Sequence, residues 1–459
     1  MTRVSTVPPP ASAPRPYRFP VAQRSVIGSG TRLVVAPLTK APLVSVSAVF
    51  HRGGADHDPP DREGLAELTA LMLLEGNDAR DGAALADYFE SLGSSLAAAA
   101  DWDSAIMSFT VHPDRLDAAM RAFREVLRAP AFPQRELDRI KAEHHADRMQ
   151  ASADPRSLAN DAFAWSCYGD NVRYRRPAAG TSATVESITR EDVESFWGAQ
   201  YSPGDLTLIF AGALDNARAA ALAEELTAGW VQGAPESRTM LVTPRYREPA
   251  VTLIEKPGAA QAELRIGHMG VPRAHAGYFP LTVMNAVLGG LFSSRINLNL
   301  RERHGYTYGA SSGFDWRKAA GPWLVSTAVK TEVCAAAIRE VLGEIDRIRT
   351  AEVEKDELDL AAQYLVGVFP LRFETTAAVA GALVSHSIFG LPPDYFDTYR
   401  ERVSAVTPGD ALRAAQDHLH RDQLQIVVVG DPAGLRADLL PFARGQIHSV
   451  PASAVESAP

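Results

Sequence analysis

A capped helix, a β-rich strand and a closing glycine occur twice in this chain at the same spacing. In the first copy, Val185 to Val193 contains a helix start, with Thr189 as the cap and Asp192 at the third helical position. The strand-like run Leu206 to Gly212 follows it. In the second copy, Val403 to Asp410 precedes Leu424 to Asp431. Thr189 and Thr407 lie 218 residues apart, and so do Gly212 and Gly430. Self-similarity at one fixed offset points to a duplicated αβ unit. With 459 residues and 46% apolar content, the chain is also too long for one ordinary core, and two to four domains are expected.

The pattern around the first copy predicts strands at Thr31 to Val35 and Leu43 to Phe50, the latter stopped by Gly53-Gly54. Helices are expected over Gly64 to Leu74 and Gly82 to Leu92. A strand at Ala105 to Val111 is followed by a helix from Pro113 to Leu127. Pro133 introduces a long helix reaching about Gln150. The polar, breaker-rich run Gln232 to Ser237 marks the join between halves, and Val251 to Ile254 begins a new strand.

Charge and cysteine content narrow the function classes. A net charge of -9 with no Lys/Arg block argues against nucleic acid. Cys167 and Cys334 have no CxxC spacing and are expected to be buried free thiols. No apolar run reaches the roughly 18 residues that a bilayer span needs, so no membrane insertion is expected. The N-terminus, with Pro8-Pro9-Pro10 and Pro14-Arg15-Pro16, lacks the apolar core of a secretory signal. For the sequence as given, a cytoplasmic location is the expectation.

The run Gly64-Leu65-Ala66-Glu67-Leu68-Thr69-Ala70-Leu71-Met72-Leu73-Leu74-Glu75-Gly76 resembles the metal-binding helix of the inverted zinc peptidases, His-x-x-Glu-His, with its metal chemistry removed. In that motif one helical turn aims two imidazoles at zinc and sets a carboxylate beside them to activate water. Glu67, Ala70 and Leu71 occupy the three positions here. The frame is similar to the pitrilysin/insulinase (M16) superfamily, in particular its processing-peptidase-like M16B branch. The resemblance places the third ligand, a glutamate in the family, roughly 76 residues past Leu71, at Asp147. Glu67, Glu75 and Asp147 make a weak carboxylate set at best, and Leu65, Leu68, Leu71 and Met72 read as an apolar face. His144 and His145 are adjacent on a helix and point about 100° apart, so they are expected to be surface or packing residues. No metal and no other cofactor is expected in this chain, and alone it is expected not to cut peptides.

The second half contains Leu288-Gly289-Gly290-Leu291-Phe292-Ser293-Ser294-Arg295-Ile296-Asn297-Leu298-Asn299-Leu300-Arg301-Glu302-Arg303-His304-Gly305-Tyr306-Thr307-Tyr308-Gly309-Ala310. This looks very like the family's second-half signature, in which an Arg and a Tyr face the zinc site across the substrate chamber. Those positions are Arg301 and Tyr308. Gly305 suits a tight turn before a strand carrying Tyr306 and Tyr308. A phenol or guanidinium near the carbonyl oxygen stabilises the charge that develops when water attacks an amide. From residue chemistry alone, Arg301 as a helix cap and Tyr308 as a packed sheet residue remain open.

The resemblance implies an α+β fold of two homologous halves, each a mainly antiparallel sheet covered by helices, together forming half of a clam-like peptide chamber. The expected layout is a loosely ordered extension over 1–19, a first domain over 20–230, a linker over 231–250, a second domain over 251–440 and a flexible tail over 441–459. In the family an exposed strand can pair with an extended peptide. Gln261 to His268 resembles a family strand and Val44 to Phe50 is its nearest first-half analogue; which edge, if either, is open is not set by the sequence. Losing the zinc ligands while keeping the Arg/Tyr pair implies complementation. A homologous M16B-like partner subunit would carry zinc and hydrolyse an unstructured peptide, while Arg301 and Tyr308 reach it across the interface. The alternatives are a catalytically inactive structural protein or a peptide-binding one.

Overall fold

The computed structural model describes residues 15–230, 240–443 and 446–456. Two six-stranded mixed sheets dominate it. The first combines β1 (Gln23–Val26), β2 (Arg32–Pro37), β3 (Val44–Phe50), β6 (Ala97–Ala100), β7 (Ala105–Val111) and β8 (Leu206–Gly212) in the order β1-β2-β8-β3-β7-β6. A two-residue hairpin, β4 (Gly76–Asn77) with β5 (Arg80–Asp81), stands apart from it. The second sheet combines β9 (Ala250–Glu255), β10 (Gln261–Met269), β11 (Ala310–Phe314), β12 (Pro322–Lys330), β13 (Gln425–Gly430) and β14 (Ile447–Pro451) in the order β11-β12-β10-β13-β9-β14.

Read from opposite ends, five strands of each sheet follow one plan. The pair β2/β8 is parallel and β8/β3/β7/β6 are antiparallel; β9/β13 is parallel and β13/β10/β12/β11 are antiparallel. The duplication inferred from the 218-residue offset is therefore present in the topology. Its local marks match too: Thr189 with Asp192 and Thr407 with Asp410 each close a reciprocal capping box, satisfying backbone N–H groups that a helix start leaves free.

Each sheet buries one face under helices of its own half. Leu65, Leu68, Phe123, Val193 and Leu222 cover the first, while Leu281, Ile338, Val341 and Ala411 cover the second. The opposite faces are covered reciprocally. Helix Thr376–Ile388, from the second half, lays Val379, Ala380, Leu383 and Val384 on Val34, Val49, Ile209 and Ala211 of the first sheet. Helix Pro155–Cys167, from the first half, lays Leu158, Ala162 and Phe163 on Ile254, Val427 and Val429 of the second. A polar latch adds to the exchange: Asp103 accepts from the Tyr174 hydroxyl at 2.5 Å and the Lys318 backbone N–H at 2.7 Å. The Arg317 guanidinium stacks beside it on Trp102 and Tyr174.

The structure adds detail at three places in the expected layout. The tail is not loose throughout, because Ile447–Pro451 pairs in parallel with β9 and Glu456 accepts from the Ser182 N–H at 2.5 Å. Within 15–19, Tyr17 and Phe19 are pinned in an aromatic cluster with Phe369, Phe373 and Phe396. In the join, 231–239 lie outside the described residues, but Met240 and Val242 pack against the core under Pro155–Cys167. Both cysteines are free and buried, and burial pushes the Cys334 thiol up to about 12. Among the described residues, no helix is long and apolar enough to cross a membrane.

Two imidazoles, His268 buried and His51 half-buried, give the fold a specific acid response. His51 Nε2 lies 2.9 Å from Thr207 Oγ1 and 3.2 Å from Ser387 Oγ of the exchanged helix; burial, then Arg32 and Lys318, holds its pKa down to about 3. His268 lies between the Met269 carbonyl and the His420 N–H, and burial holds its pKa down to about 4. Below pH ~6.5 the unfolded chain protonates these rings while the native state does not, so their contribution to stability falls as pH drops. Buried carboxyls with raised pKa, such as Asp103 and Asp205, work in the opposite sense, so the test must be resolved by residue. Neither ring should titrate above pH ~5 by imidazole NMR. The stability gap between the wild type and His268→Gln should narrow by about 2 kcal/mol from pH 7 to 4.5. A gap independent of pH would refute the assignment.

Candidate functional site

The first-half site is built around a buried carboxylate that the sequence patterns did not single out. Asp58 accepts from the Gly64 N–H and the Ala66 N–H, both at 2.8 Å, at the start of helix Leu65–Met72. Arg173 closes on the same carboxylate at 2.9 Å and also donates to the carbonyls of Pro177 and Ala178. Gly64 has φ 98°, and a Cβ there would meet the Ala179 carbonyl oxygen at 2.4 Å, so only glycine fits this helix entry. Burial pushes the Asp58 carboxyl up to about 6, against the pull of Arg173 and the two N–H donors.

On that helix, Glu67 is half-buried and its pKa is raised, first by burial and then by the charges of Asp58, Asp101 and Asp147. Asp147 is exposed on helix Gln134–Ala153. Ala70, where the general base would stand, is 1% exposed, and Leu71 packs against the core. Leu65, Leu68 and Met72 are buried as the apolar pattern requires. Glu75 is taken up by Arg139 at 2.6 Å. The remaining donors, Glu67 and Asp147, do not fit a zinc ion, which needs at least three protein ligands in such a site. Among the described residues, no group of three or more His, Cys, Asp or Glu is placed to hold a metal.

The second-half residues lie on an irregular turn and the loop after it. Arg301 sits in the π-helical turn Leu298–Arg303, its guanidinium 4.6 Å from the Phe292 ring centroid and 3.5 Å from Glu302. Gly305, with φ 64°, makes the expected turn. The expected strand through Tyr306 and Tyr308 does not form: β11 starts only at Ala310. The Thr307 hydroxyl donates to the Gly309 carbonyl at 2.9 Å and accepts from Thr327 at 3.0 Å, which curls the loop before the strand begins. Tyr306 stacks on His304, and Tyr308 projects outward at 93% exposure. Tyr308 is therefore not a packed sheet residue. Among the described residues, no hydrogen bond or ion pair joins Arg301 or Tyr308 to the first-half positions.

The strands suggested for peptide pairing are both interior. β3 lies between β8 and β7, and β10 lies between β13 and β12, so neither offers an edge. The sheets end instead at β6 and β1, and at β11 and β14. β6 packs beside helix Leu65–Met72, the helix that carries Glu67, and consists of four alanines.

Family comparisons agree with this architecture. A family model described as insulinase (peptidase family M16) matches residues 34–173, and one described as peptidase M16 inactive domain matches residues 187–365. An uncharacterized zinc protease of Streptomyces coelicolor is 23% identical over 87% of this chain and 87% of its own length. A non-peptidase homolog of Helicobacter pylori is 22% identical over 83% of this chain and 87% of its own. The crystal structure of a peptidase M16 inactive domain from Pseudomonas fluorescens superposes with a TM-score of 0.84 and 26% identity, covering 89% of this chain and 98% of that one. Two family models in tandem, a repeated sheet plan and an α-helix that carries the metal-motif frame without its ligands agree: the chain belongs to the M16/insulinase peptidase superfamily, with the bilobed fold of that superfamily and an inactive-type domain.

Proposed function

We propose that this chain is a catalytically inactive M16 protein that binds an extended peptide along the free edge of β6. The observation that carries this reading is an open strand edge beside a helix whose zinc-binding positions are Glu67, Ala70 and Leu71. An edge strand offers unpaired N–H and C=O groups, which give affinity through main-chain bonds. The alanines of β6 leave room for side chains of the incoming strand.

A second, finer reading is favoured by the exposure of Tyr308 and by Arg301 close to it in sequence. In it, the chain is the metal-free subunit of an M16B-like pair, and these two side chains reach a zinc-bearing homologous subunit. The phenol would donate to the oxyanion that develops there, and Arg301 would hold a substrate carbonyl.

One assay tests both. A labelled unstructured peptide is mixed with this chain, with a zinc-bearing homologue, and with both, while binding, hydrolysis, zinc content and native mass are followed. This chain alone should bind the peptide without cutting it or holding stoichiometric zinc. Under the second reading, a one-zinc heterodimer cuts faster than either chain, and Tyr308→Phe lowers its kcat by about 100-fold without dissociating it. Full activity from the homologue alone, unaffected by this chain, would remove the second reading. Failure to bind extended peptides would remove the first.

A further inference from the structure

Where the exchanged helix Thr376–Ile388 crosses the first sheet, it leaves a pocket of about 360 Å³ against β1 and β2. That is the lower end of the range for small-molecule sites. Val34 and Leu383 are buried apolar residues in its lining, and Val26 forms part of the rim. Arg24 and Arg32 lie on the same sheet face as diagonal neighbours, because Arg24 pairs with Val34 and Val26 pairs with Arg32.

Among the described residues, neither arginine forms an ion pair. Arg32 is held rigid by donating to Thr207 Oγ1 and to the Asp205 carbonyl, both at 2.9 Å. The Asp205 carboxylate is engaged by the Arg52 N–H at 2.8 Å. Arg24 has only long contacts, at 3.4 Å, to the Ala22 carbonyl and to His386 Nε2. That imidazole nitrogen also lies 3.0 Å from the Pro392 carbonyl. The shorter contact favours the tautomer that donates to Pro392, and in that tautomer Nε2 has no lone pair for Arg24. Ser387 adds a hydroxyl at the same wall.

We propose that this pocket binds the terminal carboxylate of a ligand with a short apolar body. Two guanidiniums beside an apolar floor complement such a molecule: the forks take the carboxylate in charge-assisted bonds, and Val34 and Leu383 cover the tail. A medium-chain fatty acid and a free peptide C-terminus ending in an apolar residue share this chemistry. The site uses neither β6 nor Arg301 and Tyr308, so its failure is separate from that of the proposed function.

Calorimetric titration of the full chain with octanoate, octanol, N-acetyl-Ala-Leu and its C-terminal amide tests the proposal. At least one carboxylate should bind, and its neutral counterpart should bind about tenfold more weakly or worse. Octanoate alone would indicate a fatty acid; the free dipeptide alone would indicate a peptide terminus. Arg24→Gln and Arg32→Gln, each checked for an unchanged melting profile, should weaken carboxylate binding by a similar factor and leave the affinity for the labelled peptide unchanged. Equal binding of acid and neutral forms, no binding of either acid at millimolar concentration, or indifference to both substitutions would overturn it.

Discussion

Asp58→Ala should destabilise the chain by about 3–5 kcal/mol, the usual cost of breaking a buried ion pair from one side. The Asp58 side chain is fully buried and that of Arg173 nearly so, at 0% and 8% exposure. Removing the carboxylate leaves a mostly buried guanidinium without its counter-charge. It also frees the N–H groups of Gly64 and Ala66, which no other side chain caps. Because burial already raises the pKa of Asp58, ionising it in place is costly, and part of that cost is recovered when the charge is deleted. The double variant Asp58→Ala/Arg173→Leu should therefore be less damaged than the sum of the single changes, a coupling that a double-mutant cycle in urea reads directly. The lowered charge should also let Glu67 ionise more readily, since Asp58 is the first of the acids that hold its pKa up. A single-variant loss below about 1 kcal/mol would mean that the helix start is held by packing alone.

The parts of this architecture legible in the sequence are those set by local chemistry. A Thr three residues before an Asp can close a capping box wherever it occurs, so Thr189 and Thr407 marked both copies of the unit before any strand was paired. The exchange of helices was not legible. The apolar stripes of Pro155–Cys167 and Thr376–Ile388 say that a face is buried, but not that it is buried on the other half's sheet. Tyr306 and Tyr308 alternate as strand residues do, yet the Thr307 hydroxyl competes for the local backbone and ends the extended run. Asp58 could have been suspected from an acid shortly before a glycine-started helix. Its partner Arg173 is 115 residues away, and no local pattern supplies a contact at that range. The segment Ile447–Pro451 is too short to declare itself; pairing with the already ordered β9 makes it a strand.

Glu67→His with Leu71→His should give a chain that binds about one equivalent of zinc, with an affinity gain of at least 100-fold over the wild type. Positions four apart share a helix face, so two imidazoles would project together toward Asp147, whose charge already reaches Glu67 across the gap between helices. Glu67 is half-buried and Leu71 partly so, so neither position is sealed in the core. Ala70 is different: at 1% exposure it is packed, and a glutamate there would have to bury a charge or displace the core. The double variant is therefore expected to bind zinc without becoming a peptidase, because no base is positioned to activate the bound water. Asp147→Asn in that background should weaken zinc binding by about tenfold or more, while the same change in the wild type alters the environments of Glu67 and His144. Zinc titration of the three proteins decides the point. If the double variant binds no zinc, the two helices are too far apart to share an ion, and the lost imidazoles are not the only reason this site is silent. If it binds zinc but the Asp147→Asn change has no effect, the third ligand comes from elsewhere, and the correspondence drawn for Asp147 is wrong.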